Sequence, residues 1–277
     1  MKAISPTRLA DSGGCARSLY NSCPEYFEIN ENYLSSSNDQ TEEQRAGKIV
    51  HNIIQYVFVG NDSEERRVRY ENVLKAVENT KNNNKIDEFL IEINGNNNLE
   101  KGLIGHKIRT LLWNETGPLL HSTYNLLNEM EKKIENSKGK WKITAEDATR
   151  DVNNVQIKVL QEEMIVRTSI DLVFEFEDKV IIGELKTGSP EPYKIERWIL
   201  QTQLMMKTWK IKYPKDKILG FIINGELKMK GNPLGTIRVS DFKEVEKLEY
   251  LDKDNLKPGK WQCKKCIVKD NCGSRTY

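Results

Sequence analysis

The stretch KVIIGELKTG, Lys179 to Gly188, limits what this chain can fold into more than any other. Its β-branched and apolar residues read as a strand, yet Glu184 and Lys186 sit inside it, two apart. The two-residue period of a strand puts both side chains on one face. Burying either one unpaired would cost several kcal/mol, so the pair calls for a reason. Asp171 follows Ile170 in RTSIDLVFEF, a second strand pattern. A divalent cation between Asp171 and Glu184 would neutralise both carboxylates, and the apolar flank favours a site over decoration. The plainer alternative is a surface salt bridge between Glu184 and Lys186 on an edge strand. Two hard oxygen ligands suit Mg2+ or Mn2+, which polarise a phosphate and lower the pKa of a bound water. Lys186 beside them would orient that water and stabilise the charge developing on phosphorus. This is the chemistry of phosphodiester hydrolysis.

The surroundings of this stretch indicate an α/β fold. VQIKVL, EEMIVRTSIDLVFEF, KVIIGELKTG and ILGFIING read as a sheet, interrupted by a helix from about Lys194 to Lys210. The resulting β-β-α-β order, with helices ahead of it, predicts central strands covered on both faces. Upstream, apolar residues at Ile49, Ile53, Ile54 and Val57 predict a helix from about Glu42 to Phe58 that carries His51. Between about Asp62 and Ser137 the chain is charged and Asn-rich, with amphipathic patterns such as Leu103, Ile104, Ile108, Leu111 and Leu112, and reads as a helical insertion. His106 and His121 fall there as ordinary helix residues. No apolar run approaches the ~20 residues needed to cross a bilayer. The opening MKAISPTRLADSGG lacks the apolar stretch of a secretory signal. The expected location is therefore the cytoplasm, with no membrane partner.

A formal net charge of +2 does not by itself announce a nucleic-acid partner. The charge is local: from Lys257 onward, Lys257, Lys260, Lys264, Lys265, Lys269 and Arg275 face a single acid, Asp270. The same tail holds Cys263, Cys266 and Cys272 in the pattern C-x-x-C-x5-C. Cytosolic proteins rarely keep disulfides, so this triplet reads as a metal or cluster site lacking one ligand. Cys15 and Cys23 are the remaining candidates for that ligand.

The order of these motifs resembles the RecB-like nucleases of the PD-(D/E)XK superfamily. Ile170-Asp171, a hairpin, and then Gly183-Glu184-Leu185-Lys186-Thr187-Gly188 look like their core motif. GKIVH, Gly47 to His51, resembles their G-x-x-x-H helix, in which the histidine is a further metal ligand; Gly47, four residues away on the same face, would let that helix approach the site. QLMMK, Gln203 to Lys207, occupies the place of their Q-h-x-x-Y helix, with Gln203 the match rather than Gln201. Lys207 stands where tyrosine is usual, and an ammonium there could reach a phosphate instead. One cysteine near the start and three near the end resemble the 4Fe-4S clusters of the CRISPR-associated "Cas four" exonucleases and of AddB-type nucleases, with Zn2+ on four thiolates the chemical alternative. SPTRLADSGGCARSLY places Cys15 in the family's opening motif, while CPEYF at Cys23 matches its ending.

The resemblance implies a single domain over 1–277, with a restriction-endonuclease-like core of mixed sheet flanked by helices. The helical insertion covers 60–140 and the cluster tail 257–277. It further implies a Mg2+- or Mn2+-dependent exonuclease trimming single-stranded DNA, with Asp171, Glu184, Lys186 and Gln203 at the chemistry and His51 as a metal ligand. Lys207, Lys260, Lys264 and Lys265 would contact the DNA backbone, and the CRISPR integrase complex would be the partner in preparing spacers. The same chemistry serves recombination, repair or a mobile element without CRISPR partners. A different class is a non-catalytic DNA-binding module with a structural metal site of four cysteines.

If the cysteines hold a cluster, serine at Cys263, Cys266 or Cys272 should bleach the brown colour of anaerobically purified protein, because a hydroxyl is a poor ligand for iron that prefers thiolate. Cys15→Ser should reproduce that loss while Cys23→Ser keeps iron and colour. The opposite pattern moves the ligand to Cys23, and stoichiometric zinc without sulfide removes the iron-sulfur reading.

Overall fold

A computed structural model describes residues 3–11, 42–60, 62–83, 106–135, 141–144, 155–159, 162–176, 179–214 and 217–250. All five cysteines and Lys260, Lys264 and Lys265 lie outside the described residues. In chain order the elements are β1 (Ala3–Ile4), α1 (Pro6–Asp11), α2 (Glu42–Phe58), α3 (Ser63–Asn83), α4 (His106–Glu135), β2 (Trp141–Thr144), β3 (Val155–Val159), β4 (Glu162–Val166), β5 (Leu172–Phe176), β6 (Lys179–Lys186), α5 (Pro192–Lys212), β7 (Lys217–Asn224), α6 (Gly225–Met229), β8 (Thr236–Val239) and α7 (Lys243–Tyr250).

The molecule is α/β, as the patterning predicts. A five-stranded sheet runs in the order β2-β5-β6-β7-β8; β6 and β7 are parallel and the other neighbours antiparallel. Parallel neighbours need a crossover, and α5 supplies it. This puts β6 in the middle of the sheet, so Glu184 and Lys186 are not on an edge strand and the surface salt-bridge alternative fails. Along β6, Ile181 and Leu185 face one layer while Val180 and Ile182 face the other. Glu184 and Lys186 continue the second series.

Helices α2, α3 and α4 cover the first face, where Ile53, Ile54, Leu119 and Leu120 pack against Phe174, Ile181 and Leu185. The segment read as an insertion is thus a structural layer, because α4 supplies core residues to the sheet. On the second face, Met205, Met206 and Trp209 of α5 meet Val173, Val180, Ile182 and Ile222. Each such fully buried side chain contributes roughly 1.5–3 kcal/mol. Close approach is needed there: a Cβ on Gly220 of β7 would lie 2.5 Å from Thr202 Cγ2 and 2.8 Å from Met206 Sδ.

EEMIVRTSIDLVFEF does not form one strand. It divides between β4, which lies between β1 and β3 in a separate three-stranded sheet, and β5. Burial alternates without interruption from Met164 through Ile170, because the chain keeps one side against apolar neighbours while it changes ladder partners. Alternation in sequence reports burial and carries no information about which strand is the partner.

The ends of β6 and β7 are tied by one side chain. Asn224 is fully buried at the end of β7; its amide donates to Lys186 O and Gly188 O, both at 2.9 Å, and its Oδ1 accepts from Leu227 N at 3.1 Å, capping α6. Asn224→Ala would strand these buried groups and should lower stability by about 2–4 kcal/mol, read from urea unfolding midpoints. A midpoint equal to that of the parent would contradict this role.

Candidate active site

Helix α2 divides into lines. Glu42 and Glu43 in its first turn suit the positive end of the helix dipole. Ala46, Val50, Ile53, Ile54, Val57 and Phe58 fill the core. Gly47, His51 and Gln55, successive at four-residue spacing, form a second line directed at the sheet's loops. A Cβ on Gly47 would come within 3.1 Å of Thr187 Oγ1, so the glycine does allow the helix to close on the segment after Lys186. His51 Nδ1 is 3.2 Å from Asp171 Oδ1, and Gln55 Nε2 donates to Asp171 O at 3.0 Å.

Asp171 occupies the bend just before β5 rather than the strand itself. The β5–β6 ladder begins at Leu172 and Gly183. One step beyond, Asp171 Oδ2 accepts from Leu185 N at 2.8 Å, so a side-chain carboxylate replaces a ladder carbonyl. This fixes one oxygen against β6 and turns the other toward His51. Burial alone would raise the Asp171 carboxyl, but His51, Lys186 and the Leu185 amide outweigh it and hold it below the usual carboxylate range. Burial pushes the His51 imidazole down, while the Asp171 and Glu184 carboxylates more than offset that and raise it.

Glu184 is only 3% exposed. Its Oε1 accepts from Lys186 Nζ at 2.6 Å and from Gln201 Nε2 at 2.7 Å. Lys186 Nζ also donates to Gln201 Oε1 at 2.7 Å, which closes a triangle of carboxylate, ammonium and amide. Glu184 Oε2 is buried and has no hydrogen-bond partner among the described residues. Burial, reinforced by the neighbouring Asp171 charge and opposed by Lys186, pushes the Glu184 carboxyl up to about 7. Among the described residues no three of His, Cys, Asp and Glu converge into a ready-made ligand set. His51 and Asp171 are turned toward each other, with Glu184 beside them.

The structure places two of the sequence-read residues elsewhere. Gln203 is not at this site: its Nε2 donates to Asp241 Oδ1 at 2.9 Å and its Oε1 accepts from Glu244 N and Val245 N, capping α7. Gln201 holds Glu184 instead. The face of α5 that meets the sheet is set by Met205 and Trp209, and Gln201 precedes them on that line at four-residue spacing. Lys207, one turn after Gln203 and on its face, pairs with Glu249 of α7. His121 hydrogen-bonds Tyr70 Oη through Nδ1 at 2.7 Å and stays apart from the site. Sequence reading set Gln201 aside and missed Gln55 and Thr7, whose Oγ1 accepts from Gln201 Nε2 at 3.1 Å.

Among the described residues no helix is long and apolar enough to cross a membrane. No family model matches the chain, and no curated protein matches it. Among solved structures, a chain titled "Crystal structure of SSO0001" is similar at 14% sequence identity and a TM-score of 0.29, over 89% of this chain and 93% of that one. At that level of superposition no feature of the site is carried from one chain to the other.

A group whose pKa rises on folding stabilises the fold below its unfolded value and loses that contribution as pH climbs through the folded one. For Glu184 this window runs from 4.5 to about 7. His51, also raised, acts in the same direction starting from 6.5. Asp171 is lowered, so its contribution is present above 3.8 and is lost only at more acid pH. In a chelator, stability relative to Glu184→Gln should fall between about pH 5 and about pH 7.5 by on the order of 3 kcal/mol. Urea unfolding across that range measures it, and a difference independent of pH would contradict the account.

Proposed function

We propose that this chain is a divalent-metal-dependent nuclease that hydrolyses phosphodiester bonds in DNA, built on a restriction-endonuclease-like PD-(D/E)XK core. The observation that carries the reading is Glu184 Oε2, a carboxylate oxygen without a partner in the interior of a central strand. Orphaned buried acceptors are costly and uncommon, and this one lies beside a second carboxylate and an imidazole.

The donor set fits a divalent cation. Asp171 and Glu184 would supply hard oxygens and His51 a nitrogen, a mixture that suits Mn2+ alongside Mg2+. Such an ion would polarise the scissile phosphate and lower the pKa of the attacking water. The chain's own residues do the rest. Leu185 N and Gln55 fix Asp171. Lys186 Nζ spends two of its three donors on Glu184 and Gln201, which leaves one for the water or for the charge growing on the phosphate. Gln201 keeps Glu184 and Lys186 in register.

Resemblance of the motifs to the Cas four exonucleases extends the proposal to single-stranded DNA as substrate, a 4Fe-4S cluster on Cys263, Cys266, Cys272 and either Cys15 or Cys23, and spacer preparation with the CRISPR integrase. The same site would serve recombination or repair, and neighbouring genes separate the two settings. A non-catalytic DNA-binding module has no use for an orphaned carboxylate next to a lysine, so the site favours the enzyme.

Glu184→Ala, Asp171→Ala and Lys186→Ala should each reduce Mg2+- or Mn2+-dependent cleavage of a labelled single-stranded oligonucleotide by roughly a hundredfold or more while DNA binding persists. His51→Ala should raise the Mn2+ concentration needed. Wild-type rates in the Glu184 and Asp171 variants, prepared free of contaminating nuclease, would remove the assigned site.

A further inference from the structure

Resting on the hydrolytic reading above, we propose that Thr7 belongs to the active site as a substrate contact: its hydroxyl donates its proton to a non-bridging oxygen of the phosphodiester seated against Glu184 and Lys186.

The placement of Thr7 is fixed by the fold. β1 pairs in parallel with β4, and Arg167 N donates to Ile4 O at 2.8 Å. Helix α1 follows directly, with Pro6, Leu9 and Ala10 buried and Thr7 exposed between them. This short helix thus lays its one exposed hydroxyl over the end of the Glu184–Lys186–Gln201 triangle.

The direction of the hydroxyl proton follows from hydrogen-bond chemistry. An ammonium can only donate, so the Gln201 atom facing Lys186 Nζ must be the carbonyl Oε1. The other end of the amide is then Nε2, whose two protons go to Glu184 Oε1 and to Thr7 Oγ1. Thr7 therefore acts as acceptor toward Gln201, and its own proton must go elsewhere. No acceptor for it is found among the described residues. The result is an exposed hydroxyl, anchored through a buried amide to the two residues that would handle the phosphate, with its own proton not used toward Gln201. A phosphate oxygen beside Lys186 is the acceptor that matches this chemistry, and a neutral donor adds to the stabilisation of the negative charge there.

A purely structural role is distinguishable at the phosphate itself, because a threonine that only supports Gln201 would leave the effect of sulfur at either non-bridging oxygen the same in the parent and in Thr7→Val. Thr7→Val keeps the shape and removes the hydroxyl; Thr7→Ser keeps the hydroxyl. On a single-stranded oligonucleotide with Mn2+, Thr7→Val should lose ~10- to 100-fold in kcat/KM, and Thr7→Ser should stay within about threefold of the parent. Thr7→Ser should match the parent in melting temperature, whereas Thr7→Val, which leaves one proton of the buried Gln201 amide without its partner, should lie slightly below it. With stereopure phosphorothioates at the scissile bond, sulfur at the oxygen that Thr7 contacts should slow the parent but slow Thr7→Val much less. Thr7→Val cutting at the parent's rate, Thr7→Ser failing as badly as Thr7→Val, or equal thio effects in parent and Thr7→Val would each overturn the proposal while leaving the nuclease reading intact. A parent that never cuts with any divalent ion overturns both together.

Discussion

Everything in this structure is arranged around a carboxylate held where carboxylates are expensive. Glu184 stands in the middle strand of a five-stranded sheet, covered by α5, with one oxygen bound by Lys186 and Gln201 and the other by nothing described. An ionised carboxylate in that position is destabilised by burial and by the nearby Asp171, which is why its proton is held up to about 7. A divalent cation, as proposed above, would resolve the conflict, since it would partner the free oxygen and offset both charges at once. On the proposed reading, the metal-free protein keeps a site under electrostatic tension, and metal binding, proton release and fold stability would be linked quantities.

The scaffold supplies this site from several places. β6 brings Glu184 and Lys186 by its two-residue period, and the bend before β5 brings Asp171, locked onto Leu185 N. α2 brings His51, and its glycine one turn earlier lets the helix lie against Thr187. α5 brings Gln201, and α1 adds Thr7 from the far end of the chain. Asn224 fastens the carbonyls of Lys186 and Gly188, so the lysine's backbone does not drift from the strand end. The geometry is therefore carried by backbone pairing and buried amides as well as by ion pairs, which would suit the proposed cation site.

Much of this was legible in the sequence because it is periodic. The span of α2, the four-residue spacing of Gly47 and His51, the β-β-α-β order and the shared face of Glu184 and Lys186 all follow from local repeats of 3.6 and 2 residues. Features that depend on which surfaces meet were not legible. Gln203 was favoured because QLMMK occupies the place of the Q-h-x-x-Y helix, yet the rotation of α5 is set by Met205 and Trp209, and these bring Gln201 to the sheet. Lys207 went the same way as Gln203, to Glu249 on α7. The division of β4 and β5 between two sheets was hidden because the burial pattern runs straight through the break. Thr7 lies 194 residues from Gln201, and no local signal reports a contact at that range.

The central claim is that Glu184 belongs to a divalent-cation site, and calorimetric titration of Mn2+ into chelator-treated protein tests it most directly. Performed near pH 6.5 in buffers of different ionisation enthalpy, it reads affinity, stoichiometry and protons released together. The account predicts a site binding one Mn2+ per chain, with proton release as Glu184 ionises, and loss of that site in Glu184→Ala. Identical Mn2+ binding by the parent and Glu184→Ala, with no proton released, would contradict it.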